Sequence, residues 1–388
     1  MRSILYSIPV EWYEIRQRFH HLAEALSGSN AITVLSPRSH KRLLHERRYG
    51  ELLRGASFAP FGPEGEIVSV ATLPGYRRHP ASVRIHWRTF PRRLAKAALR
   101  HRDSYDVLWI ADPTQAALVD LIPHRHLVYE CVDDHAGFWQ DVELQQQIQR
   151  DENSLARRAD LVIATSASLQ ARLSALNPRT VWIGNGTDVA YFSKVVSEPK
   201  RFGRPLDLPS WSGPSIGYYG AIGDWVDLDL IMKAARRLAD CQFVLIGPSF
   251  TDVSRLEELS NIVLLGERPY DTLRGYLAQI STWVIPFKVN AMTAAVDPLK
   301  VYEYLAAGRR VVSTHLPELH PLSPFLRMEA SSEAWIKALE VAVREGDAPF
   351  QPEPLMPLLE RRDWAHLARL FITHLDNLTA PTELEVSV

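Results

Sequence analysis

The amino-acid sequence predicts an α/β fold with two Rossmann-like domains, each built around a parallel sheet. The chain has 388 residues, which is enough for two domains with a core each. Residues 3–8, 12–26 and 31–35 have the apolar spacing of a strand, a helix and a strand. The same order begins again at residue 215, after a segment that contains Pro, Gly and alternating charge. Such alternation is typical of parallel sheets covered by helices.

Composition and charge exclude several classes of protein. Apolar residues make up 46% of the chain and charged residues 23%, as in soluble globular proteins, and the net charge of −1 gives no nucleic-acid signature. No apolar run reaches the ~18 residues that span a bilayer, and the N-terminal run is too short for a secretory signal. Cys131 and Cys241 lie in predicted strands and indicate no disulfide framework. We therefore expect a cytoplasmic protein whose membrane contact, if it has one, is peripheral.

The segment from residue 36 to residue 104 is predicted to be mostly irregular, with strands near residues 67–71 and 83–87. Between Arg77 and Arg102 it contains nine Arg and Lys residues, together with two large aromatic residues. Two interpretations remain open. The segment forms the solvated basic face of a helix, or a basic aromatic surface that contacts anionic lipid at the inner membrane face.

A stretch in the last third of the chain, residues 297–312, predicts a loop, a helix and a strand. Pro298 suits the first turn of a helix, and Lys300 and Glu303 are three residues apart and so share one helix face. In open α/β sheets this loop and helix start lie at the carboxyl edge, where ligands bind. Helix N–H groups and a lysine attract phosphate there, and a carboxylate could bind sugar hydroxyls. The alternative is a surface helix with an exposed Lys–Glu pair.

Two further strand ends have polar or glycine-rich sequences. Asp133, Asp134 and His135 follow a predicted strand at 127–132, at the position where α/β enzymes place catalytic groups. Adjacent carboxylates could instead only cap the next helix. The strand at 215–219 leads into a glycine turn at 220–223 and a predicted helix at 227–238. Such a turn brings backbone N–H groups near a phosphate, although its spacing alone is a weak signal.

Taken in chain order, these motifs resemble GT-B glycosyltransferases, particularly the bacterial polysaccharide enzymes of the family-4 type. The matching segments are PLK-x-x-EYLAAG-x-x-VV (298–312), N-G-x-D-x-x-x-F (185–192), N-x-x-x-x-G-x-x-P-Y-x-x-L (261–273) and W-x-x-x-R-Q-R-x-H-H-L-A (12–23). The resemblance implies two Rossmann-like domains that face each other across a cleft. It also implies transfer of a sugar from a nucleotide diphospho-sugar to a lipid-linked or polysaccharide acceptor, in cell-surface or exopolysaccharide biosynthesis.

The resemblance further implies roles for individual residues. In the xanthan glucuronosyltransferase a similar strand ends in the Asp that is the general base, which corresponds to Asp133 here, and the catalytic candidates are Asp133, Asp134 and His135. Glu303 would hold the nucleotide ribose and Lys300 the diphosphate. The predicted donor-binding residues are Gly220, Ala221, Gly223, Arg268, Asn290, Thr293, Asp297, Lys300, Val301 and Glu303. The predicted acceptor-side residues are Trp12, Arg16 and Arg18, although Trp12 could serve only packing.

The sequence departs from the family pattern at two places. The glycine turn lacks the Arg and Lys that many retaining family-4 enzymes use to neutralise the diphosphate, and Lys300 is the obvious substitute. Ala295 occupies the position of the first Glu in the family's Glu-x7-Glu pair.

Neither a cofactor nor a metal is expected, because the nucleotide sugar is a substrate and no metal-ligand spacing occurs. The alternative functions are a nucleotide-sugar epimerase and a catalytically degenerate binding subunit.

The motifs and the segments between them predict that the chain is divided into four parts. Residues 1–192 form an acceptor-binding domain, 193–211 a linker and 212–358 a nucleotide-sugar-binding domain. Residues 359–388 form a helix that crosses back to the first domain, followed by a tail. The expected partners are the donor, the acceptor and the anionic inner membrane, and not nucleic acid.

Overall fold

The computed structural model describes residues 1–74, 80–139, 141–346 and 348–379. Two compact units are formed, one by residues 1–184 together with the chain from Trp364 onward, and one by residues 185–363. The first unit thus ends eight residues before the predicted boundary at 192. The reason is that Phe192 and Val195 are buried in the core of the second unit. Arg77, Arg78 and the predicted tail lie outside the described residues.

An eight-stranded sheet organises the first unit, in the order β3-β4-β2-β1-β5-β6-β7-β8. All neighbouring strands are parallel except the pair of β3 and β4. The strands are β1 (Ser3–Ser7), β2 (Ala31–Arg38), β3 (Ala56–Phe61), β4 (Gly65–Ala71), β5 (Tyr105–Ile110), β6 (His124–Cys131), β7 (Leu161–Ala164) and β8 (Thr180–Trp182). The helices before residue 184 are α1 (Arg18–Ser27), α2 (His40–His45), α3 (Tyr49–Arg54), α4 (Pro80–Ala98), α5 (Leu118–Leu121), α6 (Val142–Arg158) and α7 (Ala167–Ser174).

Three predictions for the first unit are wrong. Residues 36–104, predicted to be mostly irregular, contain α2, α3, β3, β4 and α4. The predicted strand at 83–87 lies inside α4, whose buried side chains at Val83, Phe90 and Leu94 follow helical spacing. The predicted helix at 12–26 begins only at Arg18. Residues before it form a loop, because the Gln17 backbone N–H donates to Nδ1 of His20 (3.1 Å) and starts the helix there.

The second unit has a six-stranded, all-parallel sheet in the order β11-β10-β9-β12-β13-β14. Its strands are β9 (Ser215–Tyr219), β10 (Gln242–Ile246), β11 (Ile262–Gly266), β12 (Thr282–Ile285), β13 (Arg310–Thr314) and β14 (Arg327–Glu329). Its helices are α8 (Val189–Phe192), α9 (Lys194–Ser197), α10 (Leu228–Arg237), α11 (Leu273–Gln279), α12 (Ala291–Ala294), α13 (Leu299–Ala306), α14 (Ser332–Arg344) and α15 (Leu355–Glu360). Its inner strands β10 and β12 are buried on both faces, as parallel strands covered by helices usually are.

The predicted loop–helix–strand at 297–312 is confirmed as α13 followed by β13. Gly308 has φ of +67° just beyond the end of α13, in the left-handed region that favours glycine, so it terminates the helix as expected. The last helix, α16 (Trp364–Thr379), belongs to the first unit. There the Trp364 ring stacks on His21, and Phe371 stacks on Trp109. None of the described helices is long and apolar enough to cross a membrane.

Candidate functional site

The end of β9 lies against the start of α13 in the second unit. Gly220 follows β9 with φ of +130°, a backbone conformation that side chains rarely adopt. A Cβ atom at this position would collide with Cε of Lys300, which shows that the lysine side chain crosses the backbone of Gly220. Nζ of Lys300 is 6.0 Å from the ring centroid of Tyr218. An ammonium group therefore lies over the predicted glycine turn.

Hydrogen bonds hold the glycine turn in one shape. The Gly220 N–H donates to the Ile246 carbonyl (2.7 Å), and the Ile222 N–H donates to the Pro248 carbonyl (2.9 Å). The backbone N–H groups of Ala221 and Gly223 find no acceptor among the described residues. The Ala221 carbonyl accepts from the Tyr218 hydroxyl (2.8 Å). Backbone N–H donors in a turn that a lysine side chain crosses are a suitable arrangement for phosphate oxygens.

Glu303 lies one turn further along α13 and is only 1% exposed. Its Oε2 accepts a hydrogen bond from the Tyr219 hydroxyl (2.6 Å), and its Oε1 accepts one from the Tyr270 hydroxyl (3.2 Å). Burial and the nearby Glu303 charge raise the pKa of Tyr219 well above its usual value, so this phenol remains a donor. The alternative of an exposed Lys–Glu pair is thus wrong, because Glu303 is buried and bound by phenols.

The end of β6 presents the three catalytic candidates. Asp133 is half-buried two residues beyond the strand; its carbonyl accepts from the His135 N–H (3.0 Å) and lies 3.4 Å from Sγ of Cys131. Nε2 of His135 is buried without a hydrogen-bond partner among the described residues. The next α-helix, α6, is capped by Asp141 instead, whose side chain accepts from the Leu144 N–H (2.9 Å). Capping of α6 therefore does not explain the Asp133–Asp134 pair.

A buried polar cluster that sequence reasoning missed supports the end of β6. Glu152 of α6 accepts from the Tyr129 hydroxyl (2.7 Å) and from Sγ of Cys131 (3.2 Å), and it pairs with Arg172 of α7 (2.5 Å). Burial raises the pKa of Glu152 and the Arg172 guanidinium lowers it, with a net shift downward. Helical spacing alone gave no signal for this cluster, because its members come from three separate elements.

Three polar donor candidates have partners inside the second unit. Asn290 caps α12 through the Thr293 N–H (3.0 Å), and the fully buried Thr293 hydroxyl donates to the Lys288 carbonyl. Asp297 accepts from the Asn185 N–H (2.8 Å) and from the Tyr302 hydroxyl (2.8 Å). Burial raises the pKa of Asp297 by more than the positive charge of Arg362 lowers it. Contact of these residues with a donor sugar stays a prediction.

Arg268 and Val301 complete the predicted donor set. Nε of Arg268 pairs with Asp207 (2.5 Å), whose other oxygen accepts from the Tyr276 hydroxyl (2.6 Å). Val301 is fully buried in α13, and its N–H donates to the Pro298 carbonyl (3.1 Å). Arg268 is held in the loop that follows β11, whereas Val301 contributes packing.

The acceptor-side candidates lie in and before α1. The half-buried Trp12 ring packs against His20, with 4.6 Å between the ring centroids, and burial lowers the pKa of His20 to about 4. Arg16 pairs with Glu24. Arg18 is buried and pairs with the fully buried Glu130 (2.7 Å). These contacts give Trp12 and Arg18 packing roles, and contact with an acceptor stays a prediction.

A comparison with known protein families identifies a match within the second unit. A family model described as glycosyl transferases group 1 matches residues 213–342. Residues 213–342 form a glycosyltransferase group 1 domain. All ten predicted donor-binding residues lie within this group 1 domain. The implied resemblance to glycosyltransferases is confirmed at this level, and the narrower likeness to family-4 and xanthan enzymes stays a prediction.

One curated relative and two solved structures extend the comparison. TuaH of Bacillus subtilis (strain 168), named as a teichuronic acid biosynthesis glycosyltransferase, is 29% identical over 229 residues, which cover 54% of this chain. The match spans about half, 55%, of the length of TuaH. Sucrose-phosphate synthase from Thermosynechococcus elongatus has a TM-score of 0.73 at 15% identity, covering 97% of this chain and 99% of its own. Anabaena HepE in complex with UDP-glucose has a TM-score of 0.64 at 14% identity, covering 97% and 100%.

At these identities the solved structures establish the fold alone. The fold is GT-B, with two parallel-sheet units that include the group 1 domain, as the resemblance implied. Among the described residues no cluster of three or more His, Cys, Asp or Glu side chains is arranged to hold a metal ion.

Proposed function

We propose that this protein transfers a sugar from a nucleotide diphospho-sugar to a hydroxyl of a lipid-linked or polysaccharide acceptor, at the cytoplasmic side of cell-surface polysaccharide biosynthesis. The observation that supports this best is the glycine turn after β9: the Lys300 side chain crosses its first residue, Gly220, and the preceding residue, Tyr219, binds Glu303. The group 1 domain match and the name of TuaH agree with this proposal. HepE, a structural neighbour, is described in complex with UDP-glucose.

The turn and Lys300 would stabilise the leaving diphosphate. Negative charge develops on the phosphate oxygen as the bond to the sugar breaks, and fixed donors lower the barrier most when they face that charge. The N–H groups of Ala221 and Gly223 are held by the surrounding hydrogen bonds, so they need no rearrangement to donate. Lys300 takes over the charge neutralisation for which many retaining family-4 enzymes use an Arg and a Lys in the turn. Glu303 would accept hydrogen bonds from the ribose hydroxyls.

Asp133 would accept the proton of the acceptor hydroxyl. Its backbone carbonyl accepts from the His135 N–H, and the Glu152 cluster holds Cys131, two residues earlier, in place. A carboxylate at a rigid strand end can be positioned within reach of a substrate proton, which is the first requirement for a general base. His135, with its buried Nε2, would orient the donor or acceptor.

Helix α4 would provide the contact with anionic membrane. Its exposed positions recur every three or four residues, and we call Arg88, Arg92 and Lys96 the exposed α4 basic face. Exposed Ile85 adds an apolar side chain to the same stripe, since it precedes Arg88 by three residues. Arg84 instead pairs with Glu143, and Arg93 is half-buried with a pKa lowered by burial. An apolar residue beside several cations suits a surface of anionic lipid.

A thermal-shift screen followed by a release assay tests the proposed function. Nucleoside diphosphates of uracil, guanine, adenine and thymine are added to the purified protein, and a binding nucleotide raises the unfolding temperature by mass action. The corresponding nucleotide sugars are then incubated with excess EDTA and water as the only acceptor, and the free diphosphate and the free sugar from hydrolysis are quantified. We expect diphosphate release without a metal. An epimer of the nucleotide sugar would favour the epimerase, and binding without release would favour the degenerate subunit.

A further inference from the structure

The two phenols that bind Glu303 differ in distance and in exposure. The Tyr219 hydroxyl is 2.6 Å from Oε2, and Tyr219 is only 5% exposed. The Tyr270 hydroxyl is 3.2 Å from Oε1, and Tyr270 is only partly buried. Tyr219 is also fixed through its backbone, because its N–H donates to the Tyr304 hydroxyl (3.0 Å). One oxygen of Glu303 is thus held from inside the unit, and the other is bound by a more exposed residue.

We propose that Tyr219 is a positioning residue for donor binding. Its hydroxyl holds Oε2 of Glu303, so that Oε1 is the oxygen presented to the ribose hydroxyls of a nucleoside diphosphate. This inference rests on the proposed function, because it assumes that Glu303 binds the ribose.

The physical reason is preorganisation of the acceptor. A free carboxylate rotates about its last bond, and freezing that rotation on binding reduces affinity. A short O–H···O⁻ bond is among the stronger hydrogen bonds, and this one fixes the carboxylate plane before a ligand arrives. Each carboxylate oxygen has two lone pairs, so a ribose hydroxyl can join or replace Tyr270 at Oε1 while Tyr219 stays in place.

The test measures how much of the affinity depends on the ribose hydroxyls. The tightest-binding diphosphate among UDP, GDP and ADP is titrated by calorimetry, together with its 2′,3′-dideoxy form. The ratio of the dideoxy Kd to the ribose Kd reports the hydroxyl contribution. In Tyr219→Phe we expect this ratio to fall by about threefold to tenfold, the range for one hydrogen bond, with little change in the dideoxy Kd.

A matched control separates positioning from general destabilisation. Tyr129→Phe removes the same kind of buried phenol from a buried glutamate, Glu152, in the first unit, at a similar distance of 2.7 Å. We expect Tyr129→Phe to lower stability and to keep the wild-type ratio. If Tyr219→Phe weakens both ligands equally and so keeps the wild-type ratio, Tyr219 only packs and the inference is overturned.

Two further variants test the inference if Tyr219→Phe does not fold, or if Glu303 does not bind the ribose. Tyr270→Phe alters a partly exposed residue, and we expect the ratio to stay the same or to rise, because Oε1 becomes more available. A threefold fall in Tyr270→Phe would overturn the inference even if Tyr219→Phe failed to fold. Glu303→Gln should lower the ratio more than Tyr219→Phe does. A wild-type ratio in Glu303→Gln would refute the ribose assignment itself, which is a failure of the proposed function.

Discussion

Replacing Lys300 with methionine removes the ammonium group over the Gly220 backbone and keeps a side chain of similar length. At about 4 Å and an effective dielectric constant of about 20, one ammonium–phosphate attraction is about 4 kcal/mol. Lys300 is half-buried, so solvent and salt screen part of this attraction. We therefore expect Lys300→Met to weaken diphosphate binding by about 1.5–3 kcal/mol, which is roughly a tenfold to hundredfold increase in Kd.

The assay is calorimetric titration with the tightest-binding nucleoside diphosphate, with competition by the parent nucleoside. Lys300→Met should raise the Kd of the diphosphate and leave that of the nucleoside unchanged, because only the diphosphate contacts the lysine. The matched control is Lys233→Met, which removes the same charge from an exposed position on α10. Equal losses for diphosphate and nucleoside would show that Lys300 only packs, and an unchanged diphosphate Kd would refute its role.

Three further predictions follow from the same structure. Glu303→Ala should weaken donor binding by about 1.5–3 kcal/mol, since a charged acceptor for ribose hydroxyls is lost, and calorimetry showing wild-type affinity in the folded variant would refute this. Asp133→Asn should lower kcat by ~10²–10⁴-fold in steady-state transfer with little change in donor Kd, whereas Asp134→Asn should be mild and His135→Ala intermediate. A larger loss in Asp134→Asn than in Asp133→Asn would move the base by one residue. The exposed α4 basic face should bind anionic vesicles in flotation experiments at low salt and release them at high salt, and salt-independent binding would contradict the membrane proposal.

The sequence predicted the features of the second unit that depend on local spacing. Each of these features is set by residues close together in the sequence. They are the spacing of Lys300 and Glu303 on α13, the turn at 220–223 and the end of α13 at Gly308, and the structure places them as expected. The bonds from Tyr219 and Tyr270 to Glu303 join residues 84 and 33 positions apart. No periodic pattern in one segment can indicate such contacts.

The errors in the first unit have a physical cause as well. Val83, Ile85 and Trp87 alternate as a strand would, yet α4 forms because Val83, Phe90 and Leu94 bury one helical stripe. The start of α1 depends on the His20 side chain, which reaches back to the Gln17 N–H. Tertiary packing decided the first case and a local side-chain hydrogen bond the second. The spacing of apolar residues in the sequence indicates neither the packing of α4 nor the His20 hydrogen bond.

Amide hydrogen–deuterium exchange, with and without the tightest-binding nucleoside diphosphate, tests the central claim that the β9 turn and the start of α13 bind the donor. The N–H groups of Ala221 and Gly223 have no acceptor among the described residues, so they should exchange fast in the free protein. We expect the saturated complex to slow exchange at these two amides and in the first turn of α13. Unchanged exchange at residues 220–223, with protection elsewhere in the chain under the same saturation, would contradict the account.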